Sequence, residues 1–359
     1  MERDLLAASA HFGYINSLSI ESQDEQLMLC GGGDSAVTIW DLDADPAEED
    51  NTASSERIGV SDPADAEPLA RLDARSAHKF GISKVQWWPF DETMFLTASF
   101  DHTLKVWDTE ALEEAYSFDL EHKVYSFDVN PLRKDGLVAV GLDHPHIRLA
   151  DLRTSATAQT LRGHEAGSVC CVQWSPSREY MLASGGSDGL VRVWDIRRAT
   201  QQVAAMDLNR TSTDQNLTPL TFRKSHRGVC NGLLWHPSGD ELLSIGLDSK
   251  ARVWDLAAPG GGLNKAVNFG PLFQDRRQQT LEPCFFWTRE DDDELTVLLP
   301  SDTGDVLLSR YDDGALVERL VPPGREARLN RQGCVASRDG EFYSGTCDGS
   351  IVRWRQPEE

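Results

Sequence analysis

His164, Ser184 and Asp188 are the residue types of a nucleophilic triad: a hydroxyl to attack, an imidazole to take its proton, a carboxylate to hold the imidazole. They lie with Trp194 in one stretch, GHEAGSVCCVQWSPSREYMLASGGSDGLVRVWDIRR, residues 163–198. An active site occurs once in a chain, however, whereas this set recurs in part in several places. A His opens comparable stretches at His11, His78, His122 and His226. An Asp stands six residues before the strand end in Asp34, Asp101, Asp248, Asp305 and Asp348, with Asp143 one residue further from its own end. Recurrence in phase argues for a structural role, and no catalytic residue is expected.

Other chemistry is equally thin. His144-Pro145-His146 is the one close histidine pair, and Asp143 alone stands at ligand spacing beside it, so no metal site is expected. Gly260-Gly261-Gly262 is followed by neither a helix start nor a Lys-Ser/Thr, which excludes a phosphate loop. No cofactor is expected.

The residues that do stand apart are arginines. Ala150-Asp151-Leu152-Arg153 and Trp194-Asp195-Ile196-Arg197-Arg198 each place an Arg two residues beyond an Asp, just past the end of a strand. An Asp-Arg pair that tidies a turn is the plain reading, but exposed pairs contribute only about 0–1 kcal/mol. Arg is favoured at protein interfaces, where truncating a buried one costs about 2 kcal/mol or more. Two neighbouring sites point to a docking surface.

These side chains need elements to position them. The stretch 163–198 reads as short strands broken at Ser175-Pro176 and Ser187-Asp188-Gly189, and a Gly-His start with a Trp-Asp finish is the signature of one four-stranded propeller blade. Comparable ends fall at Trp40-Asp41, Trp107-Asp108, Ala150-Asp151, Trp254-Asp255, Tyr311-Asp312 and Trp354-Arg355, the closest about 43 residues apart. The expectation is all-β: a seven-bladed WD-repeat β-propeller, one domain over residues 1–359, its last blade completed by a strand from Glu2 to Ala8. Two insertions are expected: an acidic, disordered loop at residues 43–66 on the bottom face, where third strands end, and a top-face loop at 209–224. A further acidic run, Glu290 to Glu294, reads as a hairpin loop.

Composition bounds the class. The 359 residues are 40% hydrophobic, enough for a core, and no apolar run approaches the roughly 20 needed to span a bilayer. Met1-Glu2-Arg3-Asp4 does not begin a signal peptide. Seven cysteines, without a Cys-x-x-Cys, read as reduced core residues of an intracellular protein. A net charge of −23 argues against direct nucleic-acid binding. No membrane contact is expected either, and the chain is expected to act as a monomer within a larger complex.

Trp-Asp-x-Arg in successive repeats resembles the mark of WD-repeat substrate receptors of the cullin-4 RING ubiquitin ligase. Val85 to Thr109, Val124 to Leu132, Leu137 to Gly141 and Trp174 to Ala199 are similar to the Cockayne syndrome A family among them, a resemblance spanning His11 to Asp255 and thin beyond. It implies that His164, Asp188, Ser184 and the Trp194 indole hydrogen-bond to one another. It further implies a nuclear, non-catalytic substrate receptor in transcription-coupled nucleotide excision repair of damaged DNA. The adaptor, the large subunit of the DNA-damage-binding complex, would meet Arg153 and Arg197, oriented by Asp151 and Asp195, with Arg198 nearby. The Cockayne syndrome B ATPase and stalled RNA polymerase II would be partners at the top face. That family's helix-loop-helix ahead of the first blade finds no match in Met1–Ala10. A general WD-repeat scaffold of another nuclear complex and a propeller enzyme are the rival readings.

Overall fold

The computed structural model describes the chain apart from residues 8–9, 44–66, 75, 165–166, 199–201, 212–223, 259–260, 277–279, 288–294, 323–330 and 357–359. Every regular element among the described residues is a β-strand, and the strands form seven separate four-stranded antiparallel sheets. Blade 4, built on the fullest repeat, runs outward from the axis as Val169–Trp174, Met181–Gly186, Val191–Asp195 and Gln202–Ala205.

The strand sequences follow from where each strand sits. Middle strands are covered on both faces by neighbouring blades, so Met181–Gly186 is a run of apolar and small residues, Ser184 among them, buried almost throughout and without alternation. Outer strands face water: Ala156–Arg162 of blade 3 is exposed at most positions. Between blades the core is shared. Ala139, Ile147, Leu149 and Leu161 of blade 3 form one cluster with Val169, Val172, Trp174, Leu182 and Trp194 of blade 4. Each blade thus completes the core of the next, and an open end would leave one face wet.

The ring closes as expected. Glu2–Ala7 pairs antiparallel with Ile351–Arg355 and becomes the outer strand of blade 7, removing what would be a free edge. The acidic insertion lies outside the described residues from 44 to 66, although its first residue, Asp43, pairs with Arg338 at 2.8 Å. Of the 209–224 insertion, Asn209 to Thr211 and Lys224 are described, and Thr211 forms an isolated bridge with Asn264. Glu290 to Glu294 lies outside the described residues.

Candidate partner-docking site

In blade 4, His164 Nδ1 stands 3.1 Å from both Asp188 oxygens, His164 Nε2 2.9 Å from Ser184 Oγ, and Trp194 Nε1 donates to the same Oγ at 2.8 Å. The geometry suits a one-way chain: indole N–H to hydroxyl, hydroxyl to imidazole Nε2, Nδ1–H to carboxylate. His164, Ser184 and Trp194 are buried, and the Asp188 carboxylate reaches the surface only in part. Gly163 is required here, because a Cβ would sit 2.3 Å from Trp194 Cη2. Blades 2 and 5 repeat the network with His78, Asp101, Thr97 and Trp107, and with His226, Asp248, Ser244 and Trp254. Blade 1 builds it differently. Cys30 occupies the middle-strand position and Thr38, two residues before Trp40, supplies the hydroxyl, 3.2 Å from His11 Nε2.

Blades 3 and 6 depart from the expected spacing. In blade 3 Val140 and Ala150 replace the hydroxyl and the indole and join an apolar cluster instead. His122 therefore opens no network; it stacks on His144, 4.7 Å between centroids, and His144 rather than Asp143 stands at the turn position. Asp143 accepts from Ser168 Oγ at 2.7 Å. In blade 6 the turn glycine is Gly304, at φ 91°, which puts Thr303 at the Asp position and Ser309 at the Trp position. Tyr311-Asp312 is thus not the strand end expected, and Asp305 pairs with Arg319. Blade 7 keeps Trp354 Nε1 on Ser344 Oγ, at 2.9 Å.

The bottom rim of blades 3 and 4 collects cations. Arg197 grips the buried Asp195 with two side-chain bonds, Nε at 3.0 Å and Nη2 at 2.9 Å, and Arg198 Nε lies 3.5 Å from the same carboxylate. The Arg197 hydrogen bond, against burial, holds the Asp195 carboxyl below its ordinary range. Arg153 is looser, with one contact of 3.5 Å to Asp151. The guanidinium groups nevertheless face water: the side chains of Arg153, Arg197 and Arg198 are 70, 61 and 63% exposed. Asp151 and Asp195 lie inward and Arg153, Arg197 and Arg198 outward, with half-exposed Glu179 and Asp240 pairing Arg133 and Arg178 beside them. Arg197 also lies over Tyr180, and Arg133, paired with Asp135, shares that ring. Tyr180, Met181 and Val203 line a groove of about 360 Å³ whose other walls are Arg178, Arg197 and Arg198 with the carboxylates of Glu179 and Asp195. This groove was invisible in the repeat pattern, because Arg133, Arg178 and Tyr180 sit in turns before the second strands.

The axial channel holds a second polar set. Asp128 accepts from Trp174 N at 2.6 Å and from Gln86 Nε2 at 2.9 Å, and burial raises its carboxyl. Gln86 Oε1 takes Val129 N and Gln173 Oε1 takes Trp235 N, while Ser19 Oγ takes Trp87 N. Each is the fifth residue of its innermost strand and caps the next blade. Across the channel runs Thr280 to Pro283: Thr280 Oγ1 donates to Tyr125 and Cys170 carbonyls, Leu281 N to Asn231, Glu282 N to Gly333, and Glu282 faces Lys84 at 3.9 Å. These carboxylates are used to join blades.

Comparison with known proteins agrees with the geometry. The WD domain, G-beta repeat family model matches residues 5–41, 67–108, 156–195 and 217–255. Those are blades 1, 2, 4 and 5, the four with complete His, Asp, hydroxyl and Trp networks. The chain is a seven-bladed WD-repeat propeller. Such propellers are typically non-catalytic scaffolds, in keeping with a buried triad that serves a turn. The WD-repeat chain is 28% identical over 96% of its length to WD repeat-containing protein ATCSA-1 of Arabidopsis thaliana, covering 86% of that protein. It is 29% identical over 53% of its length to Radiation-sensitive protein 28 of Saccharomyces cerevisiae, and 37% identical over 41% to the ribosome biogenesis protein YTM1 of Phaeosphaeria nodorum. It spans 41% and 32% of those two proteins.

These relatives correct the assignment to the Cockayne syndrome A family. Ribosome biogenesis proteins match the WD-repeat chain beside ATCSA-1 and Radiation-sensitive protein 28, and at higher identity over shorter stretches, so the similarity does not single out that family. Nor is similarity confined to His11 to Asp255, since the plant relative aligns over nearly the whole chain.

Proposed function

We propose that this propeller is a non-catalytic receptor that docks the adaptor of a cullin-RING ubiquitin ligase on its bottom face and presents a repair or transcription partner on its top face, in the nucleus. The observation that carries the reading is the outward row of Arg153, Arg197 and Arg198 beside the Tyr180 groove, on two adjacent blades. A turn needs no such excess of exposed cation, whereas a docking rim does. Ubiquitin transfer would then gain from proximity and from no acid or base of this chain. The relatives named ATCSA-1 and Radiation-sensitive protein 28 support a repair context. The ATPase and stalled polymerase expected above belong to the top face in this account, and nucleic acid would be met only through them.

The test is co-assembly. The whole chain, mixed with the purified large subunit of the DNA-damage-binding adaptor, should elute as one complex. The Arg153→Glu, Arg197→Glu double variant, checked for an unchanged melting temperature, should elute apart. If the parent does not co-elute, the receptor reading is wrong. The second reading, a scaffold of another nuclear assembly, is favoured by the 37% identity to a ribosome biogenesis protein, and it takes over in that case.

A further inference from the structure

Cys171 and Cys230 meet at the seam between blades 4 and 5. Cys171 is the third residue of the innermost strand Val169–Trp174, and Cys230 the first residue of its counterpart Cys230–Trp235. Both are buried and neither is in a disulfide. Cys171 pairs across the ladder with Gly185, and the two sulfurs share the hollow over that glycine: a Cβ on Gly185 would stand 2.6 Å from Cys171 Sγ and 2.6 Å from Cys230 Sγ. At most twice that distance separates the sulfurs. Cys171 Sγ also lies 3.6 Å from the Cys230 carbonyl oxygen, so the side chain leans across the seam.

Three other seams show what fills this hollow elsewhere. Gly31, Gly141 and Gly345 pair with Ser17, Ser126 and Cys334, and the next blade contributes Ile82, Val169 and Ile15 in turn. Each of those three opens its innermost strand, as Cys230 does. A branched aliphatic side chain is thus the packing solution, and Cys230 departs from it where the residue opposite is also a cysteine. Cys334 meets the Ile15 side chain instead, with Sγ 3.8 Å from the Ile15 carbonyl oxygen. Cys170, the thiol next in sequence to Cys171, lies 3.9 Å from the Ser168 carbonyl oxygen.

The surroundings decide what chemistry the pair can do. Burial holds the Cys171 thiol well above its ordinary range, which disfavours a thiolate and with it a metal dithiolate. A disulfide is neutral and suits the apolar cluster that both cysteines share with Ala183, Val193 and Trp254. Cys171 also lines the axial cavity of about 220 Å³, among Ser126, Asp128 and Thr280, so an oxidant the size of water can reach it.

We propose that Cys171 and Cys230 form an oxidation site, closed by hydroperoxides into a disulfide that staples blade 4 to blade 5. The Cys171 sulfur attacks a peroxide oxygen: the S–O bond forms, the O–O bond breaks, and water leaves, or an alcohol from an alkyl hydroperoxide. The Cys230 sulfur then attacks the Cys171 sulfur, the S–S bond forms, the S–O bond breaks, and a second water leaves. Both sulfurs are oxidised, both peroxide oxygens are reduced, and the two thiol protons depart in the leaving groups. The movement required is closure of the sulfurs to about 2.0 Å. With the thiol held protonated the reaction is slow. It is independent of what docks on the bottom rim.

Hydrogen peroxide added to the whole folded chain, followed by N-ethylmaleimide in denaturant and tryptic mapping without reductant, tests it. The expected product is lighter than the parent by two hydrogen atoms, links residues 163–178 to residues 228–250, and has a raised urea midpoint. Cys170→Ser should keep the link. Cys171→Ser and Cys230→Val, which copy the Ser and Val of other seams, should fold and lose it. Three results would overturn the proposal: Cys171 and Cys230 both still open to N-ethylmaleimide at a dose that oxidises the urea-unfolded chain, Cys171 halted as an oxygenated acid without the link, or a link that survives Cys171→Ser.

Discussion

The guanidinium of Arg197 lies 4.4 Å from the centroid of the Tyr180 ring, and Arg133 of the neighbouring blade shares that ring at 5.0 Å. One aromatic side chain thereby fixes a cation of blade 4 against a turn of blade 3, while Asp195 fixes the other end of the same guanidinium. Removing the ring should loosen Arg197 without unfolding the blade. Tyr180→Ala is predicted to weaken adaptor binding by about two- to fivefold, in line with ~0.5–1 kcal/mol for an exposed cation–π contact, with Tyr180→Phe close to the parent. Surface-immobilised adaptor and a concentration series of each variant would read this out.

The buried networks make a stability prediction that leaves binding alone. Ser184→Ala strands His164 Nε2 and the Trp194 indole N–H at once. The loss should be about 1–3 kcal/mol, seen as a lowered urea midpoint. Blade 3 already has Val140 and Ala150 at these positions, packed against apolar neighbours. Val140→Ser there should therefore destabilise too, since it buries a hydroxyl without a partner.

Acid should weaken the fold in two windows. Burial pushes the His226 imidazole below its ordinary 6.5, and Arg252 Nη1, 2.6 Å from Nδ1, works in the same direction against the pull of Asp248. A depressed imidazole favours the neutral form in the fold, so its contribution is complete above 6.5 and declines as the pH falls below that. Burial alone would raise the Asp34 carboxyl, but bonds from His11 and from the Phe12 and Ala36 amides lower it from 3.8 to about 2. Its contribution is present above 3.8 and lost toward 2. Urea midpoints taken between neutral pH and about pH 5 should fall for the parent and fall less for His226→Gln.

Lys84 faces Glu282 in the channel, both nearly buried. Lys84→Met leaves the Glu282 charge without its counter-ion and should cost roughly 1–3 kcal/mol, less than a fully buried pair because the contact is long. Adding Glu282→Gln should restore most of it. A double-mutant cycle of thermal midpoints shows this as coupling between the two sites.

What could be read from the sequence was whatever sits at fixed spacing along one blade. His164, Asp188 and Trp194 announce themselves because a strand and a turn set their separations. The same rule misleads at blade 6, where shifting the turn to Gly304 puts Ser309 at the indole position. It also misses blade 1, where Cys30 and Thr38 exchange roles across paired strands. Pairings between blades carried no local signal: Thr280 meets Tyr125 and Cys170 across more than a hundred residues. Arg153, Arg197 and Arg198 were visible as a doubled motif, while Tyr180 and Arg133, which shape the groove, looked like ordinary turn residues.

Bottom-face docking is read out by the dissociation constant between the whole chain and the ligase adaptor at low and physiological salt. It should be measured for the parent, for Arg197→Glu with Arg198→Glu, and for Phe12→Ser with Phe80→Ser as a top-face control. Docking through these arginines requires binding that weakens with salt, loss by about a hundredfold or more on bottom-face charge reversal, ~2.7 kcal/mol or above, and no change in the control. Equal affinity for the parent and the Arg197, Arg198 variant would contradict it.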